Sequence, residues 1–231
     1  MKTAREGRLY GIGVGPGDPE LLTLKALRLI RAAAVVAYSA PEAGDSFART
    51  IVGGWLDRGQ REIAIRFPMR PGSPPVEIYD KAASTIASEL EAGRDVAFLC
   101  QGDPLFYGSF ISLLPRLADR FAVEIVPGVS SLTACAAAAS LPLVAQDEVL
   151  TIIPATLAEP DLACRLAPAE AAAIIKLGRH LPKVQRVLDR LGRLEGAVYI
   201  ERASLPNQRI RPLAEIETAP YFSMALLAKK R

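Results

Sequence analysis

Short apolar runs alternate with amphipathic helical patterns over the first two thirds of the chain, and this alternation limits the fold more than any other feature. The runs that predict strands are residues 9–14, 34–38, 63–67, 95–100 and 123–126. The segments that predict helices are residues 46–56 and 76–92, together with a first helix that Asp18 caps and Pro19 opens. Such alternation predicts a mainly parallel sheet with helices on both faces.

A stretch of small apolar residues, 134–144, breaks this pattern at Pro142, and we place a domain boundary there. Residues 1–141 are predicted to form an N-terminal α/β domain with a glycine-rich loop, and residues 142–231 a C-terminal α/β domain. Strands predicted after the boundary are residues 149–153, 172–177, 197–201 and 222–227, with helices at 159–166 and 182–191. The predicted fold class is therefore α/β with two α/β domains.

Composition argues against several classes of protein. Half of the 231 residues are hydrophobic and 23% are charged, which is typical of a globular chain with a sizeable core. A formal net charge of +3 without a Lys/Arg stripe argues against a nucleic-acid partner. Cys100, Cys135 and Cys164 have neither disulfide nor metal-ligand spacing, which favours a reducing compartment and predicts no metal site. No apolar run is long enough to cross a bilayer, so we expect a cytoplasmic protein without a membrane partner.

The first predicted strand runs into a glycine-rich turn, Gly11-Ile12-Gly13-Val14-Gly15-Pro16-Gly17-Asp18. Glycines directly after a strand let a ligand approach the backbone closely. The dinucleotide-binding pattern fails here, because its third glycine position holds Pro16 or Asp18, and the second strand ends at Ser39 without an acid for a ribose. Taken alone, this loop fits a tight strand-to-helix turn equally well.

Two more loops of ligand-binding character follow later strands. One is Gln101-Gly102-Asp103-Pro104-Leu105-Phe106-Tyr107-Gly108, and the other is Pro127-Gly128-Val129-Ser130-Ser131. Open parallel sheets bind ligands at the carboxyl ends of their strands. A shared pocket explains all three loops together, whereas helix capping explains them only one at a time.

These three loops, in this order, resemble those of the tetrapyrrole methyltransferase superfamily. In that superfamily a Gly-x-Gly-Pro-Gly-Asp loop, a Gly-Asp-Pro loop and a Pro-Gly-x-Ser/Thr loop follow one another. The resemblance extends over essentially the whole chain. It implies two α/β domains of the class III methyltransferase type, S-adenosylmethionine in the cleft between them, S-adenosylhomocysteine as product, and a homodimer.

Within the superfamily, the sequence is most similar to the branch of precorrin-2 C(20)-methyltransferases of cobalamin biosynthesis. The matching segments are residues 9–19, Phe67-Pro68-Met69, residues 101–110, residues 200–210 and Tyr221-Phe222-Ser223. The resemblance implies methylation of a tetrapyrrole substrate at C-20. The uroporphyrinogen methyltransferases differ, because they carry an acid where this chain has Ser39, and Glu-Asn-Gly-Thr where it has Glu201-Arg202-Ala203-Ser204.

Transfer of the family's cofactor contacts by position gives Pro16, Gln101, Gly102, Asp103, Phe106, Ser130 and Ser131. Leu177 follows from a match over residues 175–178, and residues 223–226 follow from a looser match. For a substrate rich in carboxylates we expect arginine, because its planar fork forms two hydrogen bonds with a carboxylate. The candidates are Arg202, Arg66, Arg70 and Arg209, with solvated surface arginine as the alternative for each. No catalytic residue is identified, since the only histidine, His180, fits a loop residue better than a base.

Other functions stay open on the sequence alone. Cobalt-factor II, the metal-loaded tetrapyrrole, is the alternative substrate within the same class of enzyme. More distant members of the superfamily methylate RNA or diphthamide, and the moderate charge argues against RNA. A nucleotide-binding oxidoreductase or nucleotide sensor is the alternative from another class, and the broken glycine pattern argues against both.

Overall fold

The computed structural model describes residues 5–68 and 75–229, and the chain forms two compact units, Met1–Ser130 and Ser131–Arg231. The strands are β1 (Leu9–Gly13), β2 (Val35–Pro41), β3 (Arg61–Phe67), β4 (Val96–Cys100), β5 (Val123–Val126), β6 (Leu150–Pro154), β7 (Ala171–Ile175), β8 (Val198–Glu201), β9 (Arg209–Pro212) and β10 (Ser223–Leu227). The α-helices are α1 (Leu24–Ala32), α2 (Phe47–Val52), α3 (Val76–Glu91), α4 (Phe110–Leu117), α5 (Ser131–Ala138), α6 (Glu159–Leu166) and α7 (Leu181–Arg190). Short 3-10 helices lie at Pro19–Leu21, Gly53–Trp55, Gly178–His180 and Leu213–Glu215. Helix α5 belongs to the second unit. The domain boundary predicted after residue 141 stays a prediction.

The first unit is built on a five-stranded sheet with strand order β3-β2-β4-β1-β5, and every pair of neighbours is parallel. Consecutive residues of its strands enter different hydrophobic cores. Val35 and Phe98 pack with helices α3 and α4, whereas Val36 and Leu99 pack with helices α1 and α2. Because successive side chains of a strand point to opposite faces, the helices cover both faces of the sheet. The predicted parallel sheet with helices on both faces is confirmed.

The second unit holds a mixed five-stranded sheet with strand order β6-β7-β10-β8-β9. Strands β6 and β7 are parallel, whereas β10 is antiparallel to β7 and β8, and β9 is antiparallel to β8. Leu166 of α6 and Leu188 of α7 belong to the same hydrophobic core as Tyr199 of β8. Both units therefore combine a sheet with helices, and the predicted α/β fold class is confirmed.

The first α-helix begins later than the sequence predicted. The Asp18 carboxylate accepts a hydrogen bond from the Glu20 N–H at 2.8 Å, but this caps only the short 3-10 helix Pro19–Leu21. The prediction of a helix that Asp18 caps and Pro19 opens is therefore confirmed only for this short turn, and Asp18 is not the cap of α1. The true cap is Thr23, whose hydroxyl accepts from the Ala26 N–H at 3.1 Å. The chain is extended at Leu22, which separates the two helices and leaves Thr23 in the favoured capping conformation.

Candidate cofactor and substrate sites

The three loops predicted to bind a ligand lie side by side at the carboxyl edge of the first sheet. Strand β1 pairs in parallel with β4 on one side and with β5 on the other, so the carboxyl ends of the three strands are neighbours. Gly102 donates its N–H to the Gly15 carbonyl at 2.8 Å, and Gly15 donates to the Gly102 carbonyl at 3.3 Å. The prediction that these loops lie at the carboxyl ends of parallel strands is confirmed, and the ligand pocket that they are expected to share stays a prediction.

Glycine is required where the loops touch. A Cβ atom on Gly128 would lie 2.1 Å from the Gly102 carbonyl oxygen, and one on Gly13 would lie 2.5 Å from the Gly128 nitrogen. Neither contact is possible, so any side chain at these positions would push the loops apart. Gly11 has a different role, because a Cβ atom there would lie 2.5 Å from the Phe110 ring, which packs against this glycine within the core. The glycine-rich pattern thus reflects close packing, of backbone on backbone at Gly13 and Gly128 and of an aromatic ring on the strand at Gly11.

Asp103 joins the second loop to the third. Its Oδ2 accepts a hydrogen bond from the Gly128 N–H at 3.1 Å, and its Oδ1 accepts from the Leu105 N–H at 2.9 Å. The carboxylate therefore fixes the shape of both loops. Since each carboxylate oxygen can accept more than one hydrogen bond, this structural role leaves capacity to bind a ligand.

The remaining cofactor candidates near these loops differ in exposure. Pro16 is buried in the first loop, and Gln101 and Phe106 are half-buried in the second. Ser130 is half-buried at the end of the third loop. Ser131 is exposed and is the first residue of helix α5, in the second unit. Their contacts with a cofactor stay predictions.

The charge of the three loops is negative. Residues 11–18, 101–109 and 127–131 include Asp18 and Asp103 and contain no lysine, arginine or histidine. Phosphate sites usually add basic side chains to backbone N–H groups, whereas carboxylates favour cationic ligands. The loops therefore suit a cationic ligand better than a pyrophosphate.

Arg66 is engaged in holding the turn after strand β2. Its Nη1 donates to the Pro41 carbonyl at 2.9 Å and also lies within hydrogen-bond distance of the carbonyl oxygens of Glu42 and Gly44. These contacts give Arg66 a structural function, and its predicted contact with substrate stays a prediction. Arg70 lies outside the described residues.

A separate group of candidates lies along one edge of the second sheet, which is formed by the ends of β7 and β8 and the starts of β9 and β10. Strand pairing sets both Arg209 and Ser223 opposite Glu201, the last residue of β8. Arg202 follows directly after β8, and Leu177 follows shortly after β7, whose end lies beside the start of β10. The structure therefore places Leu177, Arg202, Arg209 and Ser223 at a single sheet edge.

Leu177 itself is part of the hydrophobic core of the second unit, where its side chain is fully buried. Its carbonyl accepts a hydrogen bond from the His180 N–H at 2.7 Å. Burial, and then the charges of Lys183 and Arg179, lower the pKa of His180. His180 lies in the 3-10 helix that follows β7, and we assign it no role in catalysis. The cofactor contact of Leu177 stays a prediction.

Glu201 is the residue of this edge for which no role was predicted. Its side chain is only 3% exposed, and its Oε1 lies 3.3 Å from Arg202 Nη1 and 3.5 Å from Arg209 Nη1. The Tyr199 hydroxyl donates to the other oxygen, Oε2. Burial, followed by the hydrogen bond to Glu201 and its charge, raises the pKa of Tyr199, so the phenol stays a protonated donor. The sequence contains one signal that could have indicated the pair of Tyr199 and Glu201. The two residues are two apart on β8, and such residues share a face of the sheet.

Residues 8–217 match the family described as Tetrapyrrole (Corrin/Porphyrin) Methylases. The chain belongs to the tetrapyrrole methylase family. It is 45% identical over 232 residues to a precorrin-2 C(20)-methyltransferase from a Sinorhizobium species, a match that covers 96% of this chain and 95% of that relative. It is 32% identical to the cobalt-precorrin-2 C(20)-methyltransferase of Salmonella typhimurium, and this match covers 97% of each chain.

A solved structure supports the same assignment. Uroporphyrin-III C-methyltransferase from Thermus thermophilus, complexed with S-adenyl homocysteine, matches this tetrapyrrole methylase with a TM-score of 0.71 and 27% sequence identity. The match covers 96% of this chain and 92% of that one. Within residues 5–68 and 75–229, the methylase has no group of three or more His, Cys, Asp or Glu side chains placed to hold a metal ion. Over the same residues, no helix is long and apolar enough to cross a membrane.

Proposed function

We propose that this tetrapyrrole methylase transfers the methyl group of S-adenosylmethionine to C-20 of precorrin-2 in cobalamin biosynthesis. The observation that carries the proposal is the 45% identity, over nearly the full length of both chains, to a precorrin-2 C(20)-methyltransferase. The identity to an enzyme named for the cobalt-containing substrate is lower, at 32%. Metal-free precorrin-2 is therefore our first choice of substrate, and its cobalt-loaded counterpart is the second.

The loops of the first unit fit S-adenosylmethionine in chemical character. They offer backbone hydrogen-bonding groups, the Ser130 hydroxyl and the carboxylates of Asp18 and Asp103, and they include no cationic side chain. The cofactor carries a sulfonium, an ammonium group and a ribose, which match such a set. The proposed contacts of this unit are Pro16, Gln101, Gly102, Asp103, Phe106 and Ser130. For Ser131 and Leu177, in the second unit, the proposal rests on the family resemblance alone.

The work of the protein in this reaction is to orient the reactants and to exclude water. S-adenosylmethionine supplies a methyl group on an already activated sulfonium, so the transfer is an in-line displacement. The hydrogen bonds between Gly15 and Gly102, and those accepted by Asp103, fix the loops before any ligand arrives. Such preorganisation lowers the entropic part of the barrier. At the edge of the second sheet, Arg202 and Arg209 are proposed to bind the carboxylates of the tetrapyrrole.

Two measurements test this function in sequence. Isothermal titration calorimetry with S-adenosylhomocysteine and, separately, with NADPH should show binding of the first and none of the second. An anaerobic assay should then show methylation of precorrin-2 in preference to its cobalt-loaded form. Binding of NADPH would contradict the class of enzyme, whereas preferred turnover of the cobalt-loaded form would contradict only the choice of substrate.

Asp103→Ala should weaken S-adenosylhomocysteine binding and also lower stability. The substitution removes the acceptor for two backbone N–H groups, one exposed and one partly buried, and a typical hydrogen bond of a folded protein contributes about 0.5–1.5 kcal/mol. We expect cofactor affinity to fall by about tenfold or more, measured by calorimetry. Asp103→Asn keeps an acceptor oxygen but loses the charge, so it should retain more stability than Asp103→Ala, as judged by thermal melting. Wild-type affinity in both variants would remove Asp103 from the proposed cofactor site.

We propose further that the enzyme is a cytoplasmic homodimer. The location is supported by three free thiols, of which Cys100 and Cys135 are buried and Cys164 is exposed. Burial raises the pKa of Cys135 to about 12, so this thiol is unreactive at neutral pH. The dimer rests on the family resemblance. Sedimentation velocity should give the mass of two chains at micromolar concentration, and the mass of one chain would contradict the dimer.

A further inference from the structure

A buried carboxylate joins the two arginines proposed to bind substrate at the edge of the second sheet. Arg202 Nη1 donates to Glu201 Oε1 at 3.3 Å, and Arg209 Nη1 lies 3.5 Å from the same oxygen. The side chains of Arg202 and Arg209 are 39% and 60% exposed, whereas that of Glu201 is 3% exposed. The acid is therefore held inside the unit, while the guanidinium groups that it pairs with remain accessible.

This cluster carries an excess of positive charge. Glu201 is the only acidic side chain within 4 Å of either guanidinium over the described part of the chain. Its second oxygen is occupied by the neutral Tyr199 hydroxyl. Two cations thus share one anion, and most N–H donors of each planar guanidinium stay available. A substrate carboxylate can therefore bind to two guanidinium groups whose combined charge Glu201 neutralises only in part.

The backbone that carries Arg202 is fixed as well. Arg202 and Ser204 have φ values of +52° and +69°, a conformation that residues other than glycine adopt only when their surroundings impose it. The Arg202 N–H donates to the Phe222 carbonyl at 3.0 Å, and the Ser204 N–H donates to Gln208 Oε1 at 2.8 Å. These hydrogen bonds restrain the backbone at Arg202, and the pair with Glu201 restrains its guanidinium. Such restraint reduces the entropy lost when a ligand binds.

We propose that Glu201 is a positioning residue that orients Arg202 and Arg209 as a pair to bind neighbouring carboxylates of the tetrapyrrole. The inference rests on the proposed function and deepens it. Glu201 does not itself contact the substrate, since its side chain is buried behind the two arginines. Its effect should therefore appear in the affinity for the tetrapyrrole and not in that for the cofactor.

Glu89 provides a matched control in the first unit. It is also buried, with 4% of its side chain exposed, and it also joins two arginines, Arg61 at 2.8 Å and Arg94 at 2.5 Å. Arg61 begins strand β3, and Arg94 lies just before strand β4, so this cluster is at the amino edge of the sheet. The ligand loops lie at the opposite, carboxyl edge. Glu89→Gln thus removes the same kind of buried charge at the edge of the first sheet that lies opposite its ligand loops.

The experiment compares Glu201→Gln with Glu89→Gln in full-length enzyme. Glu201→Gln keeps the shape of the side chain but removes the charge that holds both guanidinium groups, so we expect the KM for precorrin-2 to rise about tenfold. The kcat and the affinity for S-adenosylhomocysteine should stay within about twofold of wild type, because Glu201 acts only through the arginines. Glu89→Gln should leave KM unchanged even if its melting temperature falls. In the double variant Arg202→Ala/Arg209→Ala, Glu201→Gln should raise KM no further.

Three results would overturn the proposal. One is a wild-type KM in Glu201→Gln. Another is a rise in KM that comes with an equal loss of cofactor affinity, or that Glu89→Gln shows to the same extent, because either pattern indicates general destabilisation. The third is a further rise in KM when Glu201→Gln is added to the double arginine variant.

Two additional measurements keep the test decisive. If Glu201→Gln does not fold, Tyr199→Phe replaces it, because this variant removes the hydrogen bond to Glu201 without changing charge. We expect its KM to rise about threefold, and a wild-type KM would overturn the proposal.

Fluorescence titration with a stable porphyrin that carries acetate and propionate side chains separates a failure of the proposed function from a failure of the proposed role of Glu201. Absence of precorrin-2 turnover in the wild type would contradict the proposed function, while a loss of porphyrin affinity confined to Glu201→Gln would still support the role of Glu201.

Discussion

Gly128→Ala should abolish most cofactor binding and destabilise the first unit. The new Cβ would lie 2.1 Å from the Gly102 carbonyl oxygen and 2.8 Å from the backbone of Gly13, so at least one of the three loops must move. Inserting a methyl group into a packed site typically costs about 1–3 kcal/mol, and here the obstructing atoms are backbone, which relaxes poorly. We expect S-adenosylhomocysteine affinity to fall by about a hundredfold or more, because displaced loops lose their preorganised geometry. Calorimetry and denaturant unfolding measure the two effects.

Gly54→Ala is the control for this prediction. Gly54 lies in the 3-10 helix after α2, and a Cβ atom there would meet no heavy atom within 4 Å. Its free energy of unfolding should change by less than about 0.5 kcal/mol, and its cofactor affinity should be unchanged. If Gly128→Ala binds S-adenosylhomocysteine as tightly as Gly54→Ala does, the meeting point of the three loops is not part of the cofactor site.

Arg202→Ala should lower kcat/KM for precorrin-2 by about ten- to a hundredfold. Hydrogen bonds to charged groups are typically worth about 1.5–3 kcal/mol, and the substitution leaves a substrate carboxylate without its partner. Arg202→Lys retains the charge but loses the planar fork, so its kcat/KM should lie between those of wild type and Arg202→Ala. Neither change should alter S-adenosylhomocysteine affinity measured without tetrapyrrole, because Arg202 is a proposed substrate contact only.

Arg211→Ala supplies the comparison for Arg202. Arg211 lies on the same strand as Arg209, has a similarly exposed side chain, and pairs with Glu215 at 2.7 Å. An exposed pair of this kind contributes little to stability, so steady-state kinetics of Arg211→Ala should match those of wild type. Equal kinetics for wild type, Arg202→Ala and Arg211→Ala would show that Arg202 does not bind substrate, and would direct attention to Arg66 and Arg70.

Patterns within a few residues were enough to predict most of the elements. Short apolar runs indicated the strands of the first sheet, because these strands are buried on both faces, and amphipathic patterns indicated helices α3, α6 and α7. Helix α4 was not predicted, since Pro115 interrupts its pattern, yet Phe110, Leu113 and Leu117 still pack into the core. Strand β9 was missed because its only strongly apolar residue is Ile210. In both cases tertiary packing outweighs a weak local preference.

The α/β class, the position of the three glycine-rich loops after strands, and the family to which they belong were all predictable from the order of residues. These follow from local chemistry, because a glycine pattern after an apolar run records where the backbone must turn and be approached closely. Two features became visible in the folded chain alone: Gly13, Gly102 and Gly128 pack directly against one another, and Glu201 pairs with both Arg202 and Arg209. The glycine contacts join residues that are distant along the chain, and the pair of Glu201 and Arg209 joins antiparallel neighbours. Strand order and register, which create such contacts, depend on the packing of the whole sheet and leave no mark in a single segment of sequence.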